Sequence, residues 1–455
     1  MPRARVRFEE GTAVDIVKLR GWTGRLMTWQ GRALLAAVVA AGALVAVFRA
    51  TQPDTPALRI QSDFAAVEAS SPSFARLLEL YTRARFEDGN DVEVLLNGDG
   101  TYPRLWHDLR SARQTIVIQS YYSRPGAMAD TLSLILRAKA RAGVKVLVLL
   151  DAFGSHPMST RWMEELRSSG VKVALLRPLH WHSLHGAADR SHVRAIVIDG
   201  RVGYTGGFGF ADYWTGSGEA LDEWRETNVR VRGPVAMQLQ AGFAAGWLEA
   251  TGELLTSRAF VDNSGVREGI NGRSRAAALF TATTTGSTDA ERFVALALLS
   301  ARRHLYITNS YFVPNDDLRQ LLSAAAGRGV DVRVLTAGPV TDVKTTRYAG
   351  RRHYEELLRS GVRIYEYQAS MIHAKTISVD GVWAAIGSMN FDNRSLAFND
   401  ESTLIMMDES LSAQMDAVFL EDVGRAREVT IAGFLRRSRW ERVLETGAHL
   451  LSALL

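Results

Sequence analysis

Leu305-Tyr306-Ile307-Thr308-Asn309-Ser310-Tyr311-Phe312 has an earlier counterpart, Thr115-Ile116-Val117-Ile118-Gln119-Ser120-Tyr121-Tyr122, 190 residues upstream. Other landmarks keep the same order. Gly143-Val144-Lys145-Val146 parallels Gly329-Val330-Asp331-Val332 at a spacing of 186, and His192 parallels His373 at a spacing of 181. Chance does not hold such landmarks in order at nearly one separation, so the chain is an internal duplication. In each copy a helical stretch, 131–142 or 317–328, runs into a glycine stop at Gly143 or Gly329. A β-branched run, 144–150 or 330–335, follows. The alternation predicts an α/β fold of two similar lobes, each a sheet with helices on both faces, meeting across one site. The expected boundaries are a basic segment at 1–32, a transmembrane helix at 33–48 and a linker at 49–90. The first lobe spans 91–250, a polar connector 251–275, the second lobe 276–430 and a basic amphipathic helix 431–455.

The His landmark carries the chemistry. Ile372-His373-Ala374-Lys375-Thr376-Ile377-Ser378-Val379-Asp380 alternates, so a strand through it puts His373 and Lys375 on one face. Gly387, Ser388 and Asn390 follow: a close backbone approach, a hydroxyl and an amide beside the point charge of a lysine. Ser191-His192-Val193-Arg194-Ala195-Ile196-Val197-Ile198-Asp199 keeps the alternation with arginine for lysine. Gly206 and Gly207 stand for the glycine and serine, and Gly209 for Asn390. Arg194 keeps the charge on a larger, forked donor set. Two such half-sites point to one centre, where one imidazole attacks phosphorus and the other protonates the leaving oxygen. The cations neutralise charge on the phosphoryl oxygens, and the donor set calls for no metal or cofactor. Asp199 and Asp380 complete the motifs and join the candidate set, although each precedes a glycine at a strand end and reads as a turn anchor. Each imidazole needs an orienting carboxylate. Glu226, 34 residues past His192, and Glu401, 28 past His373, are the candidates.

Together these residues resemble the phospholipase D superfamily. Several stretches resemble bacterial cardiolipin synthases more narrowly: Asn309-Ser310-Tyr311-Phe312-Val313-Pro314, the run from Arg347 to Leu358, and Gly361-Val362-Arg363-Ile364-Tyr365-Glu366-Tyr367. Asp392-Asn393-Arg394-Ser395 and Trp224-Arg225-Glu226-Thr227 fit as well. The resemblance runs from Val92 to the C-terminus and is stronger in the second half. It implies a two-step phosphatidyl transfer in which His192 forms a phosphohistidine, while His373 protonates the departing alcohol and then deprotonates the incoming one. Arg194, Lys375, Ser388 and Asn390 would hold the phosphoryl oxygens. The altered motif carries the implied nucleophile, so the reversed assignment stays open at this point.

Composition bounds the rest. A chain of 455 residues can bury two cores. A net charge of +5 favours an anionic partner, nucleic acid or anionic lipid. The absence of cysteine excludes disulfides, thiol catalysis and cysteine-ligated zinc. Residues 33–48 are apolar between Arg32 and Arg49. As a helix these residues span about 24 Å, short for a hydrocarbon core of ~30 Å unless the end arginines snorkel. Arg3, Arg5, Arg7, Lys18, Arg20, Arg25 and Arg32 precede the run, and only Arg49 and Arg59 follow closely. This asymmetry predicts a single-pass protein of the bacterial inner membrane, its N-terminus cytoplasmic and its catalytic body on the outer face. The C-terminal stretch from Phe434 to Leu444, with Leu450, Leu451, Leu454 and Leu455 beyond it, reads either as a membrane contact or as a helix packed on the second lobe.

His180-Trp181-His182-Ser183-Leu184-His185 gathers three imidazoles, but no carboxylate at ligand spacing completes a metal set, and it reads as a loop. Three functions share these residues. A phosphatidyltransferase acting on anionic phospholipid, phosphatidylglycerol first, is favoured by the apolar run, the C-terminal helix and the 347–358 stretch. A phospholipase D hydrolase or a nucleic-acid phosphodiesterase would use the same pair of histidines on water. A lipid-binding scaffold without activity is suggested by Arg194 and Gly209. Lipid is favoured over nucleic acid.

Overall fold

The structure, a computed structural model, describes residues 29, 31–33, 36, 66–178, 190–261, 270, 272–282 and 288–450. The chain divides into Met1–Asp54 and Thr55–Leu455. Apart from residues 33 and 36, the expected anchor at 33–48 lies outside the described residues. Among those described, no helix is long and apolar enough to cross a membrane. The second unit holds both lobes.

Eight strands belong to the first lobe: β1 (Glu87–Leu96), β2 (Thr115–Ser120), β3 (Lys145–Asp151), β4 (Lys172–Leu176), β5 (Ala195–Ile198), β6 (Val202–Gly206), β7 (Trp224–Arg225) and β8 (Thr227–Arg232). Nine belong to the second: β9 (Ser274–Thr281), β10 (His304–Asn309), β11 (Asp331–Ala337), β12 (Arg363–Tyr367), β13 (Met371–Ile372), β14 (Lys375–Val379), β15 (Trp383–Gly387), β16 (Glu401–Met407) and β17 (Ala426–Glu428). From the middle outward, the order β1-β8-β6-β5-β2-β3-β4 is matched by β9-β16-β15-β14-β10-β11-β12, with β17 at one edge. The lobes do not keep separate sheets, as the sequence led us to expect. β1 and β9 pair antiparallel, Asn90 opposite Ser274, which joins fifteen strands into one sheet. The join hides two edges that would otherwise offer unpaired N–H and C=O groups.

Helices follow the sequence pattern closely. Ala127–Arg141 and Asp316–Gly327 end where Gly143 and Gly329 take φ +89°, a backbone region that favours glycine, and β3 and β11 begin two residues on. On one sheet face each lobe has its own core. Ile116, Val148 and Leu132 lie in the first, and Ile307, Val334 and Leu322 in the second. On the other face a single core crosses the join: Leu239, Phe243 and Trp247 of helix Pro234–Thr251 cluster with Val231, Ala278, Ile386 and Leu404. A fully buried side chain of this size contributes about 1.5–3 kcal/mol, so the shared core resists separation of the lobes.

Three boundary readings are refined. The stretch 49–90 is more than a linker, because helix Ser73–Tyr81 places Phe74 and Leu78 in the core of the second lobe. The connector 251–275 opens with Gly252 in the left-handed region and contains the short helix Arg258–Val261. The C-terminal stretch is two helices, Ile431–Leu435 and Arg439–Leu450, with Phe434, Glu445 and Ala448 buried.

Candidate active site

His192 and His373 sit just before β5 and β14, not inside the strands that alternation predicted. Their main chains are claimed by the opposite lobe. The His192 N–H donates to the Asp400 carbonyl at 2.8 Å and the His373 N–H to the Arg225 carbonyl at 2.7 Å. Ser191 bridges Asp400, and β13 pairs in parallel with β7, Ile372 opposite Arg225. Each histidine therefore lies beside the glutamate that follows its backbone partner. His192 Nδ1 is 2.8 Å from Glu401, and His373 Nδ1 is 2.6 Å from Glu226. Each glutamate orients the imidazole of the other lobe, not the one it follows in sequence.

Both imidazoles line one cavity of about 300 Å³, together with Arg194 and Asn390. With Nδ1 committed to a carboxylate, the reactive nitrogen of each ring is Nε2. Arg194 Nη1 lies 3.4 Å from the His192 carbonyl, and its Nε is buried without a partner. Lys375 is held by the His373 carbonyl and, at 3.0 Å, by Ser310 Oγ.

Burial sets the electrostatics. It pushes the His192 imidazole down to about 4, with the Arg194 charge adding and Glu401 opposing. Burial, then Lys375, holds His373 well below the ordinary histidine value. Burial also lowers Lys375 to about 7, against the pull of Glu226. The carboxylates diverge. Burial raises Glu226 to about 7, whereas for Glu401 the same burial is outweighed by His192 and hydroxyl donors, which leave it below the usual carboxylate range. At neutral pH the His192–Glu401 pair is a neutral imidazole on an ionised carboxylate. The His373–Glu226 pair is poised to hold one more proton.

Not every motif residue reaches the cavity. Asp199 and Asp380 lie at the far ends of β5 and β14. Each accepts three backbone N–H groups, from Arg113, Gln114 and Thr115 or from Arg302, Arg303 and His304, so both are anchors and leave the catalytic set. Ser388 is fully buried and turns its hydroxyl to Glu401. A Cβ on Gly207 would come within 2.4 Å of the Glu226 carboxylate, and one on Gly206 within 2.3 Å of Asn228. Gly207 therefore packs against the Glu226 carboxylate, Gly206 against Asn228 and Ser388 against Glu401, and none of the three is among the residues that line the cavity. Asn390 alone of the expected substrate-binding four lines the cavity, its Oδ1 buried and unpartnered.

Several cavity residues escaped the sequence reading. Trp214, from a single turn at Asp212–Trp214, donates Nε1 to Glu226 at 3.3 Å and fills the space beside Gly209, where a Cβ would meet its ring at 2.6 Å. Trp214 stands eight residues past Gly206, as Ser395 stands eight past Gly387, and both side chains line the cavity. Tyr121 and Tyr311 close the walls, Tyr121 packing edge-on to His192 at 4.8 Å and Tyr311 donating to Asp342 at 2.7 Å. Their signal was present in the repeated Ser-Tyr at the ends of β2 and β10. The histidines at 180–185 lie outside the described residues.

A family model described as cardiolipin synthase, PLD-like domain, matches residues 105–247 and 295–423. Cardiolipin synthase A of Pseudomonas putida is 31% identical over 404 residues, 87% of this chain and 81% of that protein. The cardiolipin synthase of Geobacillus thermodenitrificans is 35% identical over 373 residues, 80% of this chain and 72% of that protein. Among solved structures, phosphatidylserine synthase of Haemophilus influenzae aligns with a TM-score of 0.65 at 13% identity, covering 85% of this chain and 100% of that one, a likeness of fold alone.

Proposed function

The chain belongs to the cardiolipin synthase family of phospholipase D-like proteins and is a phospholipid phosphatidyltransferase; from that premise we propose that it makes cardiolipin from two molecules of phosphatidylglycerol through a phosphohistidine on His192. The observation that carries the proposal is the pair of crossed histidine–glutamate contacts on one cavity.

In the first step His192 Nε2 forms a bond to phosphorus, and the bond from phosphorus to the glycerol oxygen breaks. His373 gives that oxygen its proton, drawn from the pair it makes with Glu226. Arg194 and Asn390, which line the cavity, and Lys375, whose ammonium is bonded to the His373 carbonyl, would offset negative charge gathering on the phosphoryl oxygens, an effect that a preorganised site makes large. In the second step the hydroxyl of another phosphatidylglycerol attacks phosphorus, returns its proton to His373 and frees His192. One phosphodiester is broken and one is made, so glycerol and cardiolipin are the balanced products.

The apolar run at 33–48 and the arginines before it support attachment to the bacterial inner membrane with the catalytic body on its outer face. Incubation with phosphatidylglycerol vesicles should yield cardiolipin and free glycerol in equal amounts, and added glycerol should reverse the reaction. Release of phosphatidic acid in place of cardiolipin, or cleavage of single-stranded DNA without transfer, would overturn the proposal.

A further inference from the structure

Helix Arg439–Leu450 is turned the wrong way out for a helix that only packs on a core. A surface helix normally buries its apolar stripe and exposes its charges. Here the inward face carries Glu445, 1% exposed and bonded to Arg437 Nε at 2.8 Å and Arg351 Nε at 3.3 Å, beside the buried Ala448. Trp440, Val443 and Leu450 share the opposite face and are 68, 57 and 66% exposed. Arg439 and Arg442 flank the stripe, Arg436 precedes it, and all three are exposed. A hollow of about 380 Å³, lined by Arg351, Arg427, Arg436 and Arg437 with Glu428 and Glu441 among them, opens beside the start of the same helix.

We propose that this outward face docks on a bilayer that carries anionic phospholipid. An indole and two aliphatic side chains rimmed by arginines match the boundary between headgroups and acyl chains, and the arginines select for negative headgroups. The carboxylates at 441 and 445 face Arg351, 3.9 and 3.3 Å away, so the outer face keeps its positive charge. The docked face is also tied to the catalytic cavity. Ala448 clusters with Ala349 and Val313, and Ala349 lies on helix Lys344–Arg351, whose Thr346 lines that cavity. A bilayer held at this face would keep the cavity wall next to the lipid.

The chain has no cysteine, so a single one introduced at an exposed site labels cleanly. Full-length Val443→Cys and Trp440→Cys, each carrying an environment-sensitive fluorophore, would be placed in nanodiscs of phosphatidylcholine with or without phosphatidylglycerol, both containing nitroxide-labelled lipid. Leu134→Cys, 69% exposed on the first lobe, is the reference. Strong quenching at 440 and 443 in the anionic discs and little at 134 is the expected result. Each arginine near such a surface is worth about five-fold in partitioning, so adding Arg439→Gln and Arg442→Gln should lower the equilibrium constant between docked and undocked helix, read from the quenched and unquenched populations, by roughly 25-fold. Quenching at 443 no greater than at 134, or equal in neutral and anionic discs, would overturn the proposal. So would disulfide crosslinking of unlabelled Val443→Cys between copies in detergent, which would mark the face as a dimer contact. Docking is read without turnover, so cardiolipin formation in detergent micelles tests the catalytic reading separately.

Discussion

In the half-site built on His192, the orienting carboxylate of Glu401 accepts the Ser388 hydroxyl; in the half-site built on His373, Glu226 accepts the Trp214 indole at 3.3 Å and the Thr227 N–H at 2.9 Å. A close hydroxyl stabilises a carboxylate anion, and charge-assisted bonds of this kind are roughly twice as strong as neutral ones. The longer indole contact leaves burial in command at Glu226. The result is two imidazole–carboxylate pairs of like composition with unlike proton affinities. Both imidazoles are held below their ordinary value, so the contrast lies in the carboxylates. Glu401 is held ionised beside His192, whereas Glu226, raised to about 7, can take up a proton near neutrality and pass it to His373. The difference supports the assignment of attack to His192 and acid catalysis to His373, although the motif around His192 is the altered one.

The comparison breaks most sharply at the histidines. His192→Ala and His373→Ala should each lower cardiolipin formation by about 10⁴-fold, the upper range for a positioned acid, base or nucleophile. A phosphatidyl ester of p-nitrophenol separates them, because this leaving group needs no proton. His373→Ala should still release one equivalent of nitrophenol in a burst and accumulate acid-labile phosphoenzyme, whereas His192→Ala should give neither. A burst from His192→Ala would reverse the roles.

The glutamates sharpen it, with an expected loss of about 10²-fold for Glu226→Gln, the lower range for acid–base help. The His373–Glu226 pair must be protonated to act, so kcat/KM should fall as pH rises through about 7, the value to which burial raises Glu226. His192 must be neutral, so the acid limb should come only as pH falls toward about 4. Glutamine at 226 still accepts from Nδ1 but cannot store the proton. The alkaline limb that remains should be that of Lys375, which burial lowers to about 7 and which loses the pull of Glu226, so it should move to lower pH. Glu401→Gln should slow the reaction and leave that limb in place. If both substitutions left the same pH profile, the two pairs would not differ in function.

Much of this was readable in the chain, and the exceptions share a cause. The repeated strands and their glycine stops declared two lobes because they depend on local periodicity alone. The crossing of Glu226 and Glu401 did not show, since it rests on contacts such as Ser191 with Asp400, fixed only when the lobes dock. Trp214 was missed for a similar reason: it stands eight residues past Gly206 as Ser395 stands eight past Gly387, and nothing in so unlike a pair of side chains says that both line one cavity. Ser388 was legible as a residue but not as a contact, because its hydroxyl could face either the cavity or the carboxylate, and burial decides. The apolar stripe at Trp440 was legible as amphipathic; that it points outward required the ion pairs of Glu445.

The smallest expected effect concerns the cations. Arg194 and Lys375 occupy matching places, each bonded to the carbonyl of its own histidine, but Lys375 has the Ser310 hydroxyl as a second anchor. The serine at the equivalent place in the first lobe, Ser120, points to the Tyr122 carbonyl instead. Arginine's longer fork reaches the cavity without that anchor and keeps an unpartnered Nε. Lysine at 194 would keep the charge but lose the fork, so Arg194→Lys should raise KM by less than about ten-fold with kcat nearly unchanged, the signature of lost uniform binding. Arg194→Gln removes the charge itself and should lower kcat by about 10²-fold, comparable to losing one donor at a developing anion. Equal damage from the two substitutions would mean that the forked geometry, not the charge, is what the first half-site contributes.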